Sequence, residues 1–400
     1  MRRRYSLHFY LAGAVAARAG DEMSGPALML VGFALAGSTV EASSLLAGIT
    51  ISAVVGGPVL GTLLDRAARP GRLLAGALVL YAAGLGVILA GLGRLPFVVT
   101  LVIAVVTGLL GPALSGGWTA QLTHVVRSDH LPRASALDAM TFSVASLAGP
   151  ALAGGVAEVL GAPSAVVVSV VLIALALPAA WKLPVRPGRE RGTQTPSVTS
   201  DLAAGIRIIV GRPSLARATL TSVVCCVAQG MLTACIPLLG ERVLGGAGRG
   251  AVLLSCAAVS ALVANAVLAR LPRSVAPETI IWASGLVQAV ALALAIAGSP
   301  IVLIVAVLMV GVGEGPQLAA LFAIRHREAP EHLRGQVFTT GASLKITGFA
   351  LGAAVAGPIA NWSLPHALTL AASVAVLAVR GFFAIPSASA KPSGGRTTSG

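Results

Sequence analysis

Five charged residues stand inside stretches of this 400-residue chain that are otherwise apolar: Arg18, Asp21 and Glu22 near the start, and Glu314 and Lys345 towards the end. In a bilayer each such group costs about 2.5 to 3.5 kcal/mol on insertion scales, so it is kept only for a partner, a ligand or a proton. Arg18 precedes Asp21 by three residues and Glu22 by four, so on one helix face its guanidinium can reach either carboxylate and leave the other to exchange protons. Glu314 lies in Gly311-Val-Gly313-Glu314-Gly315-Pro316, where glycine and proline weaken a helix and can open backbone groups to a cavity. Lys345 is expected to pair with Glu314, the two lying roughly 8 and 12 Å from the same end of adjacent helices. Asp138 and Glu158 fall near helix ends, where snorkelling to water is the simpler reading. Neutral residues that could line a cavity or hold helices together are Gln121, Gln229, Asn265, Gln288 and Gln317.

The elements that carry these residues follow from composition. Apolar residues make up 56% of the chain and charged ones 10%, with a mean hydropathy of +0.90, which excludes an ordinary soluble enzyme. At about 20 residues per crossing there is material for roughly a dozen membrane helices. Apolar runs between charged and turn-forming breaks give twelve: 8–34, 43–64, 73–92, 96–119, 139–159, 164–181, 215–239, 250–270, 279–297, 300–322, 340–360 and 364–384. The basic, apolar and small-residue order of the first 20 residues imitates a secretory signal, but cleavage would leave too short a remnant, so an uncleaved first helix is expected. A single long connection, with Pro184, Pro187 and Pro196, a Thr/Ser-rich centre and an amphipathic stretch from Asp201 to Val210, divides the chain. The expected organisation is an N-terminal six-helix bundle (1–182), a linker (183–213), a C-terminal six-helix bundle (214–386) and a disordered tail (387–400).

Lysine and arginine test this layout independently. With the N-terminus inside, 23 of the 28 fall on the inner side, three on the outer, and Arg18 and Lys345 lie within helices. The net charge of +14 is therefore a topological signal, with attraction to anionic lipid as a by-product. Nucleic acid is not an expected partner, because aromatics are 4% and no basic block is interleaved with them. Cys225, Cys226, Cys235 and Cys256 lie in apolar runs without metal-ligand spacing and read as packing residues. No phosphate-binding loop, nucleophile elbow, zinc-protease motif or clustered acidic metal site is present, so neither catalysis nor a cofactor or metal is expected.

A weak internal repeat supports two halves: Val126-Arg-Ser-Asp-His-Leu-Pro-Arg133 leads into a helix carrying Gly149-Pro150, and Arg327-Glu-Ala-Pro-Glu-His-Leu-Arg334 into one carrying Gly357-Pro358. Between helices two and three stands Gly61-Thr-Leu63-Leu-Asp65-Arg66-Ala-Ala-Arg69, which resembles the loop signature of the major facilitator superfamily, with Ala68 in place of its second glycine. Gly149-Pro150-Ala-Leu-Ala-Gly154-Gly155 in helix five is similar to the antiporter signature of that superfamily's exporters, with Ala153 in place of one glycine. Gly20-Asp21 in helix one and Asp201 to Arg207 in the central loop add to the likeness, which covers nearly the whole chain. Many proton-driven members carry an arginine in helix four, yet 96–119 holds no charge, which directs attention to the five residues above.

The resemblance implies an all-helical membrane protein with twelve spans in two pseudo-symmetric bundles. It also implies that Gly61, Leu63, Asp65, Arg66 and Arg69 form a gate that opens and closes as the halves rock. Physically, the Asp65 carboxylate can accept bonds from the nearby arginines or cap a helix N-terminus. Gly149, Gly154 and Gly155 would let helices approach closely, and Pro150 would bend one. The expected function is export of a small, amphipathic organic compound by proton antiport, from a monomer in the cell membrane with both termini cytoplasmic. The competing expectations are import or facilitated passage of a small metabolite, and a sensor that keeps the fold without turnover.

Overall fold

The computed structural model describes residues 6–36, 39–184, 198–244, 250–270 and 275–386. The expected tail at 387–400, Arg2 to Arg4 and the linker residues 185–197 lie outside these. Among the described residues the chain is helical throughout. Its elements are α1 (Leu7–Ala36), α2 (Thr39–Ile51), α3 (Ala53–Arg66), α4 (Pro70–Gly91), α5 (Phe97–Gly108), α6 (Leu131–Leu160), α7 (Ala162–Trp181), α8 (Val198–Gly211), α9 (Pro213–Leu244), α10 (Gly250–Arg270), α11 (Pro277–Ala295), α12 (Pro300–Glu328), α13 (Arg334–Trp362) and α14 (Leu364–Ala384).

Among the described residues, eleven runs are long and apolar enough to cross a bilayer. The broken pair α2–α3 supplies one of them as Ser44–Arg66, and α5 with the π-helical Ala113–Gly117 supplies another. The twelfth crossing is α1, whose 30 residues carry Arg18, Asp21 and Glu22. The amphipathic stretch expected in the central loop is α8. Proline opens α4, α9, α11 and α12, where its missing N–H costs nothing. The short turns α4–α5, α6–α7 and α11–α12 each use a glycine at positive φ: Gly93, Gly161 and Gly298. All three lie on the face poor in lysine and arginine; the opposite face is called the basic face below.

Several helices outrun the apolar stretches that mark them. Helix α6 starts at Leu131 rather than 139, α12 runs to Glu328 rather than 322, and α13 starts at Arg334 rather than 340. The added turns carry charged and polar residues that break the apolar runs, yet several of them, Asp138, Arg325, His326 and Gln336, are buried against neighbouring helices. One hydrophobic core lies wholly within residues 7–183, and two more lie within 208–382. A small fourth cluster takes Ala120, Ala136 and Ala139 from the first half and Ala319, Phe322 and Phe338 from the second, and so forms the seam between them.

Candidate functional site

At the basic face the two halves are tied by Asp65. Its carboxylate, at the end of α3, accepts the backbone N–H of Gly335 at 2.7 Å and of Gln336 at 2.8 Å, the first turn of α13. A helix N-terminus offers unpaired N–H groups and partial positive charge, so a carboxylate there is doubly favoured. The contact is close because Gly61, one turn earlier, has no side chain: a β-carbon would lie 2.2 Å from Thr339 Oγ1 and 2.4 Å from Gln336 Cα. Beside it Arg334 donates to Thr123 Oγ1 at 2.7 Å, again across the seam. Of the other gate candidates, Leu63 is exposed and Arg66 and Arg69 flank the α3–α4 turn.

Deeper along the seam lies an aromatic layer. Phe142 of α6 meets Phe322 of α12 with ring centroids 5.7 Å apart, and Phe322 meets Phe338 of α13 at 5.8 Å. The Arg18 guanidinium stands over the Phe142 ring, 3.7 Å from its centroid.

Arg18 does not pair with Asp21 or Glu22. Its Nη1 donates to Asp138 Oδ1 at 3.0 Å, and both groups are shut from solvent. Thr119 donates to Asp138 Oδ2 at 2.8 Å and receives Arg18 Nη2 at 2.7 Å, while Tyr10 donates to Oδ1 at 3.2 Å. Thr141 completes the shell around Nη1. Asp138 therefore does not snorkel: with α6 starting at Leu131 it stands two turns inside the helix. Pro132 was the available signal, because proline in a first turn marks a start well before the apolar run. Glu158, at the far end of α6, is exposed as expected.

With Arg18 withdrawn, Asp21 and Glu22 turn to other neighbours. Tyr81 of α4 donates to Asp21 Oδ1 at 2.7 Å, and the Ser24 hydroxyl lies 3.0 Å from the Tyr81 hydroxyl. Glu22 is solvent-exposed midway along α1, yet its neighbours are Asp21, Ser146 of α6 and, from the opposite half, Glu314 of α12. The space it faces is thus internal. Asp21 lies 14 residues from the basic-face end of α1 and Glu314 the same number from that of α12, about 21 Å along each helix at 1.5 Å per residue.

Lys345 lies 11 residues into α13, about 16 Å from the same face. Its charge acts on Glu314, but the two form no ion pair, contrary to the contact expected from their depths. Lys345 is instead within hydrogen-bonding reach of the Cys226 thiol, which in turn points at Gln229 Oε1. Gln229 Nε2 donates to Gln288 Oε1 at 3.0 Å. Gln317 and Asn265 are buried between helices; Gln317 reaches Cys225 Sγ and the Ile281 carbonyl, both at 3.5 Å.

The helix-five motif divides. A β-carbon on Gly149 would lie 2.7 Å from Glu22 Cβ and 2.9 Å from its carbonyl carbon, so this glycine sets the α1–α6 distance beside the acidic pair. Gly154 and Gly155 have open space where a β-carbon would stand, and Pro150 is exposed, so close packing is confined to the start of the motif.

Two helical halves that enclose charged side chains between them, joined at one face by a carboxylate on a helix end, have the architecture of a membrane transporter. The sequence profile of the Major Facilitator Superfamily matches residues 10–353, and the chain belongs to that superfamily. It is 29% identical over 375 residues to the MFS-type transporter y4rN of Sinorhizobium fredii, covering 90% of each chain. Its fold is similar to the human organic anion transporter TETRAN (TM-score 0.77, 15% identity, 96% of this chain and 100% of that one). It is similar also to a bacterial homologue of the iron transporter ferroportin in its outward-facing state (0.77, 15%, 94% and 98%). A third likeness is to the Escherichia coli fucose:proton symporter (0.71, 15%, 96% and 100%). At these identities the solved structures speak for the fold alone.

Proposed function

We propose that the protein is a secondary active exporter that moves a small organic compound outward in exchange for protons, with residues 1–182 and 214–386 as the two rocking bodies. The observation that carries this reading is the placement of Asp21 and Glu22: two adjacent carboxylates at mid-membrane depth, without an arginine partner, facing Glu314 of the other half across an internal space. Acids so placed can take a proton from one side and release it to the other when the halves rock. The basic face is read as cytoplasmic, since it collects most of the lysine and arginine. The ties at Asp65, Arg334 and the aromatic seam then close the cytoplasmic side, and the cavity opens outward. Export is favoured over import by the helix-five motif, where Gly149 packs directly on Glu22.

Everted membrane vesicles loaded with a panel of fluorescent amphipathic compounds test this. Accumulation driven by an imposed proton gradient is expected for the wild type and lost in Glu22→Gln. Accumulation that persists in both Asp21→Asn and Glu22→Gln would remove the coupling role.

A further inference from the structure

The mid-depth charges are sorted by half. On the N-terminal side stand acceptors, Asp21 and Glu22, joined at the boundary by Glu314. On the C-terminal side stand donors. Lys345 is partly exposed and about 5 Å nearer the basic face than the acids, three residues' rise along its helix. Near it the chain Cys226, Gln229, Gln288 ends in Gln288 Nε2, which is buried and has no hydrogen-bond partner. That amide lies against Gly313, the neighbour of Glu314: a β-carbon on Gly313 would stand 3.5 Å from Nε2. None of Asp21, Glu22, Glu314 and Lys345 is in an ion pair among the described residues, although a bilayer penalises each one left alone.

We infer that the cavity recognises a zwitterion, whose ammonium group is held by the carboxylates of Asp21, Glu22 and Glu314 and whose anionic group is held by Lys345 and the Gln288 amide. The inference rests on the reading of this cavity as the substrate site and adds the substrate class. A simple cation would satisfy the acids but leave Lys345 without an anionic partner and Gln288 Nε2 without an acceptor; a simple anion would do the reverse. A site whose buried polar groups are matched by one ligand rejects analogues that lack a matching group. Three carboxylates exceed what one ammonium needs, which leaves an acid for the exchanged proton. The offset in depth calls for charges separated by several bonds rather than on adjacent atoms.

The test uses purified full-length protein in lipid nanodiscs and reads the thermal unfolding midpoint. The probes are ω-amino acids from glycine to 8-aminooctanoate, with the alkylamine and carboxylate of each length. At the best-fitting length the amino acid is expected to stabilise at a concentration at least tenfold below that of its amine or acid. Lys345→Met should raise that concentration tenfold or more while leaving the amine's unchanged, and Lys345→Arg should restore it. If no amino acid at any length outperforms both its amine and its acid, or if Lys345→Met leaves its binding unchanged, the zwitterion inference is wrong. Should amines alone stabilise, in a Glu22-dependent manner, the cavity remains the substrate site with a cation as ligand. If no probe stabilises the protein and the vesicle transport is indifferent to Glu22→Gln, the cavity reading falls as well.

Discussion

Arg18 and Asp138, 120 residues apart, meet at 3.0 Å in a sealed pocket of the N-terminal half, where Tyr10, Thr119 and Thr141 supply the remaining hydrogen bonds. The pair is costly to bury, and its carboxylate and both terminal guanidinium nitrogens are hydrogen-bonded, so removing one partner is far worse than removing both. Asp138→Asn or Arg18→Met alone should destabilise the protein by about 3 to 5 kcal/mol. The double substitution Arg18→Met with Asp138→Leu should recover much of that. Detergent-solubilised yield and unfolding midpoint measure both; equal losses in single and double variants would mean the pair is not a unit.

The Asp65 carboxylate receives two charge-assisted bonds from α13, each worth roughly 1.5 to 3 kcal/mol. Asp65→Asn keeps one acceptor oxygen and loses the charge. Expression should stay near normal while the closed state at the basic face loses population and transport slows. A cysteine replacing Ala139, buried in the seam, should react with a small thiol reagent faster in that background. Unchanged labelling and unchanged turnover would reduce the motif to a turn.

Glycines separate close approach from mere abundance. Gly61→Ala places a methyl 2.4 Å from Gln336 Cα, and Gly149→Ala places one against the backbone of Glu22, so both should impair transport. Gly76→Ala and Gly154→Ala meet nothing within 4 Å and should be silent. Transport rate per folded molecule distinguishes the two sets.

The seam rings Phe142 and Phe322 bridge the halves at 5.7 Å. Such a pair contributes about 0.5 to 1.5 kcal/mol beyond its area, and only while the basic face is closed. Phe322→Ala should therefore shift the protein towards opening at that face, raising Ala139→Cys labelling without a matching loss of folded yield.

Orientation is checked independently of the fold. Single cysteines introduced at Thr193 and Ser393, in a chain lacking Cys225, Cys226, Cys235 and Cys256, should be shielded from an impermeant thiol reagent in intact cells. Labelling from outside would reverse the proposed topology.

Local chemistry is what a sequence displays, and here it displayed the scaffold. Hydropathy is a sum over some 20 neighbouring residues, and charge bias is a property of short loops, so the crossings and the two halves could be read without coordinates. The spacing around Asp65 likewise marked a carboxylate able to cap a helix, though not that the helix begins at Arg334. The partners of the buried charges were another matter. Arg18 has Asp21 and Glu22 within one helical turn, yet it binds Asp138, because α6 packs against α1 and begins two turns before its apolar run. Glu314 and Lys345 lie within about 5 Å of one depth but form no ion pair, since Lys345 reaches Cys226 instead. An i to i+4 spacing states what one helix allows. Which groups are finally satisfied depends on how helices pack against one another, and in a low-dielectric interior that choice decides which carboxylates are tied up and which remain free to work.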